Sequence, residues 1–107
     1  MKKTVLILIL SLFFAADLLA QSSGRITGRV TEAGTGEELI GVNVVIQGTT
    51  RGANTDLNGN YRILNVPPGN YTLEFRFIGF QSHIIEDVLV RSDLNTEINV
   101  ELREQVF

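Results

Sequence analysis

The segment Asp56-Leu57-Asn58-Gly59-Asn60 is the densest run of oxygen-bearing side chains beside a glycine in this sequence. Asp and Asn at alternate positions before a Gly open a calcium loop, because a hard cation collects several oxygens from a sharply turned backbone. The helix–loop–helix version also needs Gly at the sixth position and a bidentate Glu at the twelfth. Counted from Asp56, those positions hold Tyr61 and Pro67, and the Gly falls fourth. A hairpin turn closed by Asx hydrogen bonds uses every residue present, and that is the reading taken here.

Other candidate chemistry is thinner. His83 is the only histidine, so a zinc site of three His, or of two His and a Glu, cannot be assembled within the chain. Ser82 beside His83 suggests a nucleophile with its base, but neighbouring strand residues point to opposite faces. Cysteine is absent and no elbow-type serine motif occurs. Glu37-Glu38, Glu86-Asp87 and Glu101 fall in turns or at outward strand positions, where carboxylates solvate faces and protect edges. No pair among them is singled out for glycoside chemistry. Tyr61, Tyr71 and Phe80 offer faces for sugar rings, yet Trp is absent and aromatic strand residues more often fill the core. No residue is therefore assigned as catalytic, cofactor-binding or metal-ligating, and no cofactor is expected.

The elements that would carry these residues are short strands punctuated by turns. Arg25 to Thr31 is the first, with Ile26, Gly28 and Val30 on one face; Ala33 to Glu38 turns at Gly34 and Gly36. Val42, Val44 and Ile46 then alternate with Asn43, Val45 and Gln47, and a short strand follows at Arg51 to Thr55. Asn58-Gly59 suits a hairpin turn with positive φ at both residues, and Tyr61 to Val66 resumes alternation. Pro67-Pro68-Gly69 predicts a type II turn with Gly69 in the left-handed region. Asn70 to Ile78 is the cleanest strand: Tyr71, Leu73, Phe75 and Phe77 share one face, Thr72, Glu74 and Arg76 the other. Gln81 to Val90 is longer, with a bulge predicted at Glu86-Asp87, and Leu94, Ile98, Val100 and Leu102 line a last strand. About seven strands with no helical period predict an all-β sandwich.

The 107 residues suffice for one domain. Lys2 and Lys3, the apolar run Val5 to Ala16, and Ala20 have the layout of a secretory signal peptide over residues 1–20. That run is shorter than the roughly 20 apolar residues a membrane span needs. Its removal takes away Lys2, Lys3 and Asp17 and moves the net charge from −3 to −4. A mildly acidic domain with scattered Arg has no electrostatic footprint for nucleic acid or anionic lipid. Secretion without cysteine suits a bacterial envelope protein.

One combination is specific. Thr35-Gly36-Glu37, Gly41-Val42-Asn43-Val44, Gly48-Thr49, Thr55-Asp56-x-Asn58-Gly59-x-Tyr61, Pro68-Gly69-x-Tyr71 and Ile78-Gly79-Phe80 together resemble the carboxypeptidase regulatory-like domain family. The resemblance implies a seven-stranded, Greek-key, transthyretin-like β-sandwich without catalytic residues. The domains expected are a signal peptide at 1–20, a flexible lead at 21–24, the sandwich at 25–104 and the start of a linker at 105–107. A sandwich directly after a signal peptide looks most like the N-terminal extension of TonB-dependent outer-membrane nutrient receptors, placed in the periplasm ahead of plug and barrel. The chain stops at Phe107, before those would begin, and is read as a fragment. The partners implied are protein: the receptor's own plug and barrel, or the energy-coupling machinery, with the membrane reached only through downstream sequence. The alternatives are an accessory domain of a secreted metallocarboxypeptidase or other hydrolase, and a standalone carbohydrate-binding sandwich.

Overall fold

A computed structural model describes residues 22–106; the predicted signal peptide lies outside the described residues. Two sheets face each other. The first contains β1 (Gly24–Glu32), flanked by antiparallel β4 (Asn60–Val66) and by parallel β7 (Asn95–Glu97) and β8 (Val100–Leu102). The second has the order β3 (Gly52–Asn54), β2 (Asn43–Ile46), β5 (Gly69–Arg76), β6 (His83–Val90), all antiparallel. No helix occurs among the described residues. The all-β sandwich expected from the turn rhythm is what forms.

Alternation sets which side chains enter the core. Ile26 and Val30 of β1, Val44 and Ile46 of β2, and Leu73 and Phe75 of β5 are fully buried. Burying each such side chain stabilises the fold by about 1.5–3 kcal/mol. Tyr61 of the first sheet meets Phe75 of the second edge to face, with ring centroids 5.6 Å apart at 76°. That geometry places the positive ring edge against the negative face. Tyr71 and Phe77 pack against this core but are only half-buried.

Departures from strict alternation have identifiable causes. The bulge predicted at Glu86-Asp87 is present: the register steps from Tyr71–Val88 to Leu73–Ile85, and Asp87 has φ 58°. The extra residue lets Ile85 and Val88 both face inward, although they are three apart. A second irregularity was not foreseen. Asn65 takes φ 57° near the end of β4, and the pairing with β1 shifts between Ile26–Ile63 and Gly24–Val66. Ile63 and Val66 are both buried as a result.

Three sequence expectations are overturned. Gly69 does not take positive φ: it opens β5 and pairs with Val90, while Pro67 and Pro68 carry the chain from one sheet to the other. A type II turn would fold the chain back into a hairpin, whereas β4 and β5 lie in different sheets. The Asp56–Asn60 turn likewise links β3 and β4, which pair with different partners, so it is not a sheet hairpin. Only Gly59 has positive φ there (77°); Asn58 does not. Finally, Leu94 is exposed, because it lies in the turn before β7 and not in the strand.

β7 and β8 hold one constant register along β1, with Arg25 opposite Asn95 and Val30 opposite Val100. The break between them lies where Ile98 crosses Gly28. In an unbroken parallel ladder the Arg29 amide would donate to the Ile98 carbonyl. Here Arg29 N donates to the Asn99 side-chain Oδ1 at 2.9 Å. The Ile98 carbonyl instead accepts the Tyr61 hydroxyl at 2.6 Å. Burial, aided by the charge of Glu97, pushes the Tyr61 phenol well above its ordinary pKa, so it stays a neutral donor.

Candidate functional site

The residues with potential chemistry are dispersed. Asp56 Oδ1 accepts backbone N–H groups from Asn58 at 2.9 Å and Asn60 at 3.0 Å, and the Asp56 carbonyl accepts from Gly59 N at 3.0 Å. The carboxylate thus closes an Asx turn, as the sequence reading held, and a Cβ on Gly59 would strike the Val30 carbonyl at 2.9 Å. His83 is exposed on β6, and Ser82 is exposed just before that strand. Among the described residues, no three His, Asp or Glu side chains gather to hold a metal ion. Tyr61 is buried with its hydroxyl bonded, so its ring offers no face to a sugar, while the half-buried Tyr71 donates to the Pro67 carbonyl at 2.6 Å.

Where side chains do cluster, they build polar surface. The outer face of the first sheet forms an open hollow of 870 Å³ lined by Thr27, Arg29, Arg62, Glu97, Asn99 and Glu101, among others. Its polar groups bond one another or residues just outside it: Asn99 Nδ2 donates to Glu97 at 3.1 Å, Thr27 Oγ1 donates to Asn95 Oδ1 at 3.0 Å, and Arg29 pairs with Glu38. On the outer face of the second sheet, Arg76 grips Glu74 with two bonds of 2.6 and 2.8 Å, and Gln47 adds a third. The hydrogen bond from Arg76 holds the Glu74 carboxyl below its ordinary value of 4.5. A depressed carboxylate contributes stability above its unfolded pKa and loses it as pH falls through the folded one. Glu74→Gln is therefore expected to lower stability slightly at neutral pH and to match wild type once its carboxyl is protonated, which flattens the acid limb of the urea midpoint below about pH 4.5. An acid limb as steep as wild type would contradict this assignment.

The sheet edges are closed by local contacts. Thr96 Oγ1 donates to the Leu89 carbonyl at 2.9 Å, bridging β7 to β6. The Arg51 guanidinium bonds the Asn65 carbonyl, joining the segment before β3 to β4. At the opposite end of the sandwich from Gly24, residues 79–81 pair with residues 103–105. Sequence reasoning missed these bridges, since each joins residues whose proximity depends on the completed topology. It also missed Thr55, a buried polar residue whose hydroxyl donates to the Leu39 carbonyl at 2.6 Å and accepts from Val42 N at 2.9 Å. Among the described residues, the geometry is that of a braced sandwich whose surface polar groups bond one another.

A sequence model of the CarboxypepD_reg-like domain matches residues 26–107. The chain belongs to that family. Its relatives include a TonB-dependent receptor of Formosa agariphila, 34% identical over 90% of this chain and 9% of that protein. The TonB-dependent receptor SusC of Bacteroides thetaiotaomicron is 41% identical over 76% of this chain and 8% of SusC. The TonB-dependent transporter Oar of Myxococcus xanthus is 31% identical over 95% of this chain and 10% of Oar. This chain thus spans about a tenth of the length of the curated relatives it matches. Those relatives are TonB-dependent receptors and a TonB-dependent transporter, and the chain is consistent with a receptor domain.

Solved structures share the sandwich. A chain of a type II cohesin–X-dockerin complex from Acetivibrio cellulolyticus aligns with TM-score 0.64 and 25% identity, over 72% of this chain and 52% of that one. A minor pilin of Streptococcus agalactiae aligns with TM-score 0.58 and 15% identity, over 82% of this chain and 47% of that one. That second likeness is one of fold alone.

Proposed function

We propose that this chain is the N-terminal, periplasmic, non-catalytic interaction module of a TonB-dependent outer-membrane nutrient receptor, exported by its first twenty residues. One observation carries the reading: receptor relatives match nearly the whole chain, while the chain accounts for only about a tenth of each of them. A module of that proportion works through contact. Its partners are the receptor's own plug and barrel or the energy-coupling machinery.

Reading the gene beyond Phe107 is the direct test. A plug followed by many segments of about ten residues with alternating hydrophobicity is expected. A stop codon there, or a zinc peptidase domain, would overturn the proposal. In the receptor, in-frame deletion of residues 22–106 is expected to leave the barrel assembled and to lower uptake about fivefold or more, the scale of a coupling above roughly 1 kcal/mol. Unchanged uptake by an assembled barrel would remove the interaction role.

A further inference from the structure

We infer that Asn58-Gly59 is a deamidation site held shut by the Asp56 turn, and that conversion of Asn58 to isoaspartate releases the β3–β4 connection from β1. The inference stands independently of the receptor reading.

Asparagine is thermolabile because the amide nitrogen of the next residue can attack its side chain. Here Gly59 N attacks Asn58 Cγ; the Cγ–N bond forms and the Cγ–Nδ2 bond breaks. The side-chain nitrogen leaves as ammonia, taking the proton of Gly59 N, and a succinimide ring remains. Water then opens the ring at one of its two carbonyls. Opening at Cγ gives aspartate with a normal backbone, and opening at the main-chain carbon gives isoaspartate. A following glycine is the fast case, since no Cβ shields its nitrogen. Every other asparagine in the chain precedes Val, Thr or Tyr.

The fold leaves this pair reachable but unreactive. Asn58 is exposed to water, whereas Gly59 is buried. Gly59 N donates to the Asp56 carbonyl at 3.0 Å, which closes residues 56–59 as a β-turn. Neither Leu57 nor Asn58 has positive φ, so the turn is type I, with ψ of Asn58 at about 0°. At that ψ, Gly59 N lies over the Asn58 nitrogen, a third of a turn away from the Cβ side where the ring must close. Rotation is opposed on both flanks. Asp56 Oδ1 holds Asn58 N at 2.9 Å and Asn60 N at 3.0 Å, and Asp56 N donates to the Asn60 carbonyl at 2.8 Å. Attack also removes the Gly59 proton and leaves the Asp56 carbonyl without its donor. Ring closure therefore proceeds from the opened turn, and its rate follows the open population.

Isoaspartate does not fit back. It routes the main chain through Cβ and adds one atom between Asn58 Cα and Gly59 N. Gly59 has no slack to absorb it: even a Cβ there would meet the Val30 carbonyl at 2.9 Å and Glu38 Cβ at 3.0 Å. The Gly59 carbonyl accepts from Val30 N at 2.9 Å, the bond that ties this turn to β1. Val30 is fully buried, so displacing Gly59 orphans its amide. Aspartate at the same position keeps the backbone length and all of these bonds.

Peptide mapping of the purified chain at mildly alkaline pH, folded and in urea, tests the gate. In urea Asn58 is expected to deamidate fastest of the asparagines, and in the folded chain its rate should fall about tenfold or more. Equal folded and unfolded rates, or a faster asparagine elsewhere in urea, would overturn the inference. Asp56→Ala removes the Oδ1 acceptor and should raise the folded-state rate about fivefold or more, while Asp56→Asn keeps the oxygen and should stay within about twofold of wild type. Equal rises in both would overturn the role of the turn. Should Asp56→Ala fail to fold, wild type in rising urea carries the test: deamidation should climb in step with Gly59 amide exchange, and a rate that does not follow that exchange would overturn the gate. The release is read at the Val30 amide. Asn58→Asp is expected to retain its protection, and the chain carrying isoaspartate at position 58 to lose it about tenfold or more. Equal protection in the two would overturn the release.

Discussion

Gly28→Ala is expected to destabilise the domain by at least about 3 kcal/mol, a large fraction of the total stability of a domain of this size. An added Cβ would lie 1.8 Å from the Ile98 carbonyl oxygen and 2.8 Å from the Tyr61 ring. Neither neighbour can yield cheaply. The Ile98 carbonyl is backbone, fixed by the Ile98 N bond to the Thr27 carbonyl at 2.8 Å and by the Tyr61 hydroxyl. The Tyr61 ring is locked against Phe75 across the sandwich. Relief requires β7 and β8 to move off β1, which strips the first sheet of one edge. Urea denaturation of residues 21–107, with amide exchange at Ile98 and Val100, checks both effects. Gly34→Ala is the contrast: Gly34 has φ 97° but open space around it, so only the conformational penalty of about 1–2 kcal/mol applies. If the two variants cost the same, close approach at Gly28 is not what that glycine provides.

The comparison between sequence and structure turns on which signals are local. Alternation placed Val42, Val44, Ile46, Leu73 and Phe75 inside correctly, since a two-residue period needs no knowledge of the partner strand. The Glu86-Asp87 bulge was legible for the same reason: two charges in an apolar run must be moved off the buried face. The turns at Pro67–Gly69 and Asp56–Asn60 were misassigned, because turn chemistry does not reveal whether the flanking strands share a sheet. Gly28 was placed on the inner face, yet nothing near it in sequence announces a carbonyl from Ile98. As for function, Ile78-Gly79-Phe80 was visible as part of a family pattern. The pairing of residues 79–81 with 103–105 spans the completed sandwich and was not visible.

Thr55→Val is expected to cost about 2–6 kcal/mol despite conserving shape, because it orphans two buried backbone groups at roughly 1–3 kcal/mol each. The Thr55 hydroxyl, 5% exposed as a residue, satisfies the Leu39 carbonyl and the Val42 amide at once. Its own backbone pairs with the same loop, Gly41 N to the Thr55 carbonyl at 3.1 Å and Thr55 N to the Val42 carbonyl at 3.0 Å. Those bonds survive in the Val variant, so the loop should loosen around Leu39 to Val42 before the whole sandwich unfolds. Thr55→Ser keeps the hydroxyl and loses one methyl, and should cost only about 1 kcal/mol. The Val42 amide is the discriminating probe, with faster exchange in Thr55→Val and near-wild-type exchange in Thr55→Ser. Equal urea midpoints for the two variants would mean that the hydroxyl is not the clamp.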